Sequence, residues 1–516
     1  MPPSEPDPPP RTLARGRVWQ AFMDIHVNIH GRQDLTGQIY RQLREGILDG
    51  RLAAGMRLPS TRELARQLGV SRKTTLDVFD RLITEGYLRT RPGDGTFVAD
   101  GLARVSVAEA SGAPPGNAPL PVWQNMKVAF SAPALARPAG SQRYDFSGGM
   151  TDKSQFPFEH WRRSIHHALR AQMRGRADYA SPAGEQELRV AISRYLAYSR
   201  SVVSTWQDVF VTHGAQQALD LLARVLVKPG DVVAVEDPGY PPARACLEAL
   251  GARVVGVRVD AQGLVVDELP RDARLVYVTP SHQFPLGMPM SLERRVALLD
   301  WARRHQAIVV EDDYDGEFRF EGRPMESLKS LDSAGLVAYV GTFSKTMFPE
   351  LRVGYVVPPA SLQAALDTAK KISDWHTNTM MQTAIAKFML DGAFAKHLRR
   401  MHRLYEQRRN VVVAHMRGPL ARWLEPICPA AGLHLSARLR ANVLPGVSEA
   451  DIIEAAAEHS VGLYGLSIFY RDHKPERGFV FGYGGLATEA IDEALGTLAR
   501  VFEALAMQTQ TTKTAA

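Results

Sequence analysis

Lys345 stands in Thr342-Phe343-Ser344-Lys345-Thr346, directly after the strand-like run LVAYVG. An amine at the end of a buried strand, where α/β sheets bind their ligands, can form a Schiff base with a carbonyl compound, provided that burial keeps part of it neutral. Other residues with useful chemistry stand at the ends of other strand-like runs. Gly214-Ala215-Gln216 opens a helical segment after DVFVT, so its backbone N–H groups can cradle an anion. Ser344 adds a hydroxyl donor, and Arg352 in LRVGY adds a guanidinium able to bind an anion through two bonds. Asp312 closes AIVVED with a carboxylate, Tyr314 follows two residues on, and Tyr240 lies in EDPGYP after VVAV. Taken singly, these read as a helix start, a surface arginine, an acidic loop and a turn. Taken together, at successive strand ends, they supply an amine, an anion cradle, an acid, a phenol and a flat ring.

Those are the parts a pyridoxal 5′-phosphate site needs. The phosphate requires donors and positive charge. The pyridine nitrogen requires an acid that keeps it protonated, so that the ring acts as an electron sink, and Asp312 suits that place. Tyr314 can reach the phenolic oxygen of the ring, and Tyr240 can stack on its face.

The elements that must position these residues run from Tyr144 to Ala506. Short apolar runs (DVFVT, VVAVEDP, RLVYVTP, AIVVEDD, LVAYVGT) alternate with helical segments such as AQQALDLLARVLV and LERRVALLDWARRH. That alternation predicts an α/β unit with a mostly parallel central sheet covered by helices. The polar end, MQTQTTKTAA, predicts a disordered tail over 507–516. Residues 101–143, rich in Pro, Gly and Ala and without periodicity, read as a linker, and the proline-rich residues 1–30 as a flexible leader.

Residues 31–100 form a separate patterned unit. Ile39, Leu43 and Ile47 give one apolar helical face. Ser60 and Glu63 have capping-box spacing for a second helix, TRELARQL, and Ser71 can cap a third after the break Gly69-Val70-Ser71. This is helix-turn-helix spacing. Arg72, Lys73, Thr74 and Thr75 then fall on the first turn of the third helix, where side chains meet base edges and phosphates of double-stranded DNA. Two short runs around Arg91-Pro92-Gly93-Asp94-Gly95 predict a wing hairpin, with glycine allowing close approach of backbone to DNA.

Composition is permissive. The net charge of +7 over 516 residues allows nucleic-acid binding without demonstrating it. Cys246 and Cys428 make neither a metal-ligand spacing nor a disulfide framework, and no apolar run approaches the ~18 residues of a membrane span, so the expected setting is the cytoplasm, with no membrane partner and no metal.

The segment LPSTRELARQLGVSRKTTLDVFDRLITEGYLRTRPGDGTFV resembles the GntR-type winged helix-turn-helix along its whole length. The resemblance implies DNA contacts from Arg62, from the Ser71–Thr74 turn and from Gly93. Leu76 departs from it, since many relatives carry an arginine there. From about residue 144 to 506 the order of motifs resembles the fold-type I aminotransferases, and the two halves together resemble the MocR subfamily, the GabR-like regulators. Thr279-Pro280-Ser281-His282-Gln283-Phe284-Pro285 is typical of that subfamily, with Phe284 where aminotransferases carry asparagine. The resemblance implies that Lys345 carries the cofactor, Asp312 pairs with its ring nitrogen, Tyr240 stacks and Arg352 binds phosphate. It also implies that Tyr179 reaches the phosphate of a partner subunit, hence a homodimer. Arg244, Arg471 and Arg477 are candidates for an effector carboxylate by position alone. GLYGLSIFY lacks an arginine that some GabR-like proteins carry, so γ-aminobutyrate is not the expected ligand. The leading reading is a regulator that senses an amino compound, or the cofactor itself, through Lys345. The alternatives are a working aminotransferase with a DNA-binding head and a DNA-binding protein with a cofactor-free scaffold.

Overall fold

Ile39, Leu43 and Ile47 pack with Leu64, Val78 and Leu82 into the core of the N-terminal unit, as their spacing requires. The computed structural model describes residues 27–31, 33–101, 126, 142–322, 326–427 and 430–515. Two compact units divide the chain, Met1–Pro119 and Leu120–Ala516. Most of the expected leader and linker lies outside the described residues.

In the first unit, α1 (Leu35–Leu48), α2 (Thr61–Leu68) and α3 (Arg72–Thr84) are followed by the antiparallel strands β1 (Leu88–Arg91) and β2 (Gly95–Val98). The Ser60–Glu63 capping box starts α2, and the Ser71 side chain accepts from the Thr74 N–H to start α3. Between them Gly69 adopts φ 65, a left-handed turn that glycine enters without a Cβ penalty. The end of the expected leader is corrected. Val27 and Ile29 pack on the core, and the backbone of Asn28 bonds both ways with the Gln42 side chain. Alternating apolar residues there find a face to bury, which overrides the polar character of the segment as a whole.

The second unit opens with β3 (Tyr144–Asp145). Its main sheet comprises β4 (Phe210–Thr212), β5 (Val232–Asp237), β6 (Arg253–Asp260), β7 (Gly263–Leu264), β8 (Ala273–Val278), β9 (Ile308–Asp313), β10 (Val337–Thr342) and β11 (Gly354–Val357). The spatial order is β4-β11-β10-β9-β8-β5-β6-β7. Strands β10, β9, β8, β5 and β6 are mutually parallel, while β11 runs against both β10 and β4. Helices including Gly214–Leu226 and Leu292–His305 connect these strands, so both faces are covered and the strands are near-continuous apolar runs.

Residues beyond 417 add β12 (Leu424–Ile427), β13 (His434–Leu439), β14 (Val461–Gly462), β15 (Tyr464–Gly465) and β16 (Gly478–Gly482). A second antiparallel sheet has the order β12-β13-β16-β15, and β14 pairs with β3. The strand reading above did not foresee this small sheet. The expected disordered tail is corrected as well: the last helix runs Thr488–Ala515. Extending an existing helix requires no new nucleus, so polar residues of fair helix propensity continue it. Among the described residues no helix is long and apolar enough to cross a membrane.

Candidate functional site

Strands β8, β9 and β10 lie side by side and parallel, so their C-terminal ends deliver Thr279, Asp312 and Lys345 to one edge. There they line a pocket of about 140 Å³ together with Ala215, Gln216, Tyr240, Tyr314, Ser344 and Arg352. The Lys345 Nζ donates to the Gly149 carbonyl at 2.6 Å. Burial lowers its pKa to about 8, the nearby Arg352 charge works in the same direction, and Asp315 and Asp312 oppose it. Gly149 has φ 79, and a Cβ there would stand 2.4 Å from Nζ, so both backbone and space require glycine.

Asp312 is buried, and its Oδ2 accepts from the Tyr277 hydroxyl at 2.8 Å. Among the described residues its Oδ1 is buried with no hydrogen-bond partner, as is the hydroxyl of Ser344. Burial pushes the Asp312 carboxyl up to about 7, with Asp313 adding to the rise and the Tyr277 hydroxyl and Lys345 opposing it. Buried polar atoms are rarely left unpaired. A protonated ring nitrogen suits Oδ1, and a phosphate oxygen suits the Ser344 hydroxyl. The Gly214–Leu226 helix begins at this edge, and His213 before it supplies no side-chain cap bond, so the first-turn amides stay available to an anion. Arg352 reaches over that helix start, donating to the His213 carbonyl at 3.4 Å, and a Cβ on Gly214 would meet its Nη2 at 2.9 Å. The donor set therefore fits pyridoxal 5′-phosphate at both ends, ring nitrogen and phosphate.

Tyr314 and Tyr240 line the pocket and also contact other protein groups. The Tyr314 hydroxyl lines the pocket but donates to the His282 carbonyl at 3.0 Å. Tyr240 meets Phe284 edge-on, with ring centroids 5.5 Å apart. Tyr179 is 70% exposed, rests on Trp375 and is not among the pocket residues of its own chain. Arg471 pairs with Glu248 and Asp472, Arg477 donates to the Val447 carbonyl, and neither these two nor Arg244 lines the pocket. Sequence reasoning missed Gly149, Tyr277 and a buried cluster in which His282 Nδ1 lies 3.0 Å from Asp315, with the His434 ring tilted against His282 at 4.8 Å. Burial works to raise the Asp315 pKa, but His282, His434 and the Leu433 N–H together bring it below the ordinary value. The signal for Tyr277 was a phenol inside the apolar run Leu275–Val278, since a buried hydroxyl seeks an acceptor.

In the first unit, Arg62, Arg72 and Lys73 are exposed, as are Ser71 and Gly93, the latter at φ 78 in the wing turn. The Thr74 hydroxyl lies 2.8 Å from the Ser71 hydroxyl, so those two side chains build the cap, and Arg72 and Lys73 beside it are exposed cations. Thr75 is buried and donates to the Thr61 carbonyl at 2.8 Å, locking α3 against α2. Leu76 is exposed on the same helix.

Residues 35–98 match the family of bacterial regulatory proteins called gntR, and residues 147–468 match aminotransferase class I and II. Over 469 residues the chain is 38% identical to a probable rhizopine catabolism regulatory protein, MocR, of Rhizobium meliloti, covering 91% of this chain and 94% of that one. It is 30% identical to the pyridoxine biosynthesis transcriptional regulator PdxR of Corynebacterium glutamicum, covering 90% of this chain and 95% of that one. Among solved structures it is similar to the α-aminoadipate aminotransferase LysN of Thermus thermophilus, in complex with N-(5′-phosphopyridoxyl)-L-leucine. That similarity has a TM-score of 0.66 at 25% identity, over 75% of this chain and 99% of that one.

Proposed function

Since this chain belongs to the MocR type of GntR-family transcription regulators, and so binds DNA and holds pyridoxal 5′-phosphate, we propose that it is a one-component sensor that reads an amino compound, or the cofactor itself, at Lys345. The observation that carries this reading is the meeting, in one small pocket, of a lysine whose pKa is lowered to about 8 and two unpaired buried polar atoms, Asp312 Oδ1 and Ser344 Oγ.

The cofactor, when bound, supplies an electrophilic carbon at which amines exchange and a ring that withdraws electrons. Lys345 holds it. Asp312 would keep a proton on the ring nitrogen, and Tyr240 and Tyr314, which line the pocket, would flank the ring, Tyr240 on its face and Tyr314 toward its phenolic oxygen. Ser344, Arg352 and the amides of Gly214, Ala215 and Gln216 bind the phosphate. In the head, Arg62, Ser71, Arg72, Lys73, Thr74 and Gly93 meet the operator. The protein acts in the cytoplasm as a homodimer, in which Tyr179 of each subunit completes the phosphate site of the other. Lys345, once released by a competing amine, would be left with other partners such as the Gly149 carbonyl, which would give the two states the differential contacts that allostery requires. The positions of Arg244, Arg471 and Arg477 away from the pocket weigh against a firm grip on a carboxylate, and so against efficient amino transfer.

Titration with a panel of amines and vitamin B6 forms, followed by footprinting of DNA upstream of its own and neighbouring genes, tests the proposal. The expected result is an amine that shifts the visible absorbance of the cofactor and changes operator affinity roughly fivefold or more, with both responses absent in Lys345→Ala. Identical footprints with and without every amine and B6 form would overturn it.

A further inference from the structure

The residues that follow Tyr314 and Asp315 line a second cavity, of about 450 Å³. Gly316, Glu317 and Arg319 form one side, Ser281 a second, and Phe394 and Leu398 an apolar wall. Besides Arg200 Nε, which is ion-paired with Asp313, three atoms here are buried without a hydrogen-bond partner among the described residues: Ser281 Oγ, Glu317 Oε2 and Arg319 Nε. This is the signature that Asp312 Oδ1 and Ser344 Oγ give in the cofactor pocket, where a bound group accounts for it.

The three atoms specify a ligand. The Glu317 carboxylate receives the Tyr195 hydroxyl on Oε1 at 2.6 Å, leaving Oε2 in need of a donor. Arg200, the nearest buried cation, is committed to Asp313 at 2.7 Å. Arg319 gives its carbonyl to His402, leaving the guanidinium Nε–H in need of an acceptor. Ser281 serves either role. Arg399 also lines the cavity, adding donors for an anionic group. We propose that this cavity is a second ligand site that takes a free α-amino acid as its zwitterion, with the ammonium on Glu317, the carboxylate on Arg319 and an apolar or aromatic side chain against Phe394 and Leu398.

The two cavities are lined by adjoining residues of the same two segments, Tyr314 and Asp315 beside Gly316 and Glu317, and Leu433 beside Ala431. Arg319 bridges to Ala431, the Gly432 N–H donates to the Phe318 carbonyl, and the Leu433 N–H donates to Asp315 at 3.1 Å. Leu433 and His434 then line the cofactor pocket. Occupancy of the second site therefore acts on the segment that carries Asp315 and Tyr314, and coupling between the sites is reciprocal. This site is independent of whether amines act at Lys345.

Equilibrium dialysis of each of the twenty common L-amino acids against borohydride-reduced protein provides the test, since reduction locks the cofactor onto Lys345 and closes that route to amines. Saturable binding of at least one apolar or aromatic amino acid is expected, weakened tenfold or more by Glu317→Gln and by Arg319→Gln. Both variants are expected to retain the visible band of the cofactor before reduction, which shows that they fold. Their band also reports separately whether amines act at Lys345. Absence of saturable binding by all twenty, as when only water fills the cavity, would overturn the proposal, as would binding indifferent to both substitutions.

Discussion

Lys345 draws its reactivity from its surroundings. An ordinary lysine titrates near 10.5, whereas burial brings this one to about 8, so a useful fraction is the neutral nucleophile near neutral pH. The rate at which cofactor-free protein takes up pyridoxal 5′-phosphate should therefore rise about tenfold per pH unit below pH 8 and level off above it. Stopped-flow absorbance checks this, and a rise that continues through pH 9 would mean that Lys345 is not buried as described. Gly149 is the residue that leaves Nζ its space. Gly149→Val should abolish cofactor uptake while leaving DNA binding by the separate head measurable, since the side chain must occupy the place of Nζ and the left-handed backbone disfavours it. A dialysed Gly149→Val protein that keeps the visible band contradicts this. The sequence order of Lys345, Asp312, Tyr240 and Arg352 made the pocket legible. Gly149 was not legible, because its value lies in contact with a residue nearly two hundred positions away.

The helices of the head are set by local caps. Ser60→Ala removes the side-chain acceptor of the α2 capping box and should cost about 1 kcal/mol of head stability. Thr75→Val leaves the Thr61 carbonyl without its donor and should cost about 1–2 kcal/mol. Urea unfolding of the head checks both, and an unchanged midpoint for Thr75→Val would remove its locking role. Arg72→Ala should weaken operator binding by about 1–3 kcal/mol, more than it weakens binding to unrelated DNA. Equal losses in gel-shift titrations would reduce Arg72 to a phosphate contact. Both caps were legible in the sequence, since they depend on residues three apart. Thr75 resembled its surface neighbours in sequence, and only the approach of α2 to α3 turns it inward.

At the scale of the whole molecule, the chain joins a DNA reader to a cofactor pocket. In the proposed homodimer, the exposed Tyr179, outside the pocket of its own chain, is the residue that enters the phosphate site of the second copy. Mixed dimers test this. Lys345→Ala and Tyr179→Ala subunits should each hold cofactor poorly, yet after mixing and reassociation about one quarter of the wild-type sites should return, because half of the dimers then carry one intact site. Failure to recover any would count against the exchange of Tyr179.

What the sequence alone determined is local or periodic: two capped helices at a short turn, a wing, and strands read from continuous apolar runs, each ending in a residue with chemistry. Those features depend on spacings of a few residues, which the chain carries wherever it folds. Only the tertiary structure decided the small antiparallel sheet that brings His434 to the pocket, the antiparallel β11 that sets Arg352 over Gly214, and the second cavity beside Glu317. Each depends on burial and on approach between distant segments. Burial in particular turns an ordinary lysine and two ordinary carboxylates into groups that lack their usual partners, and no spacing along the chain encodes how much water a side chain loses.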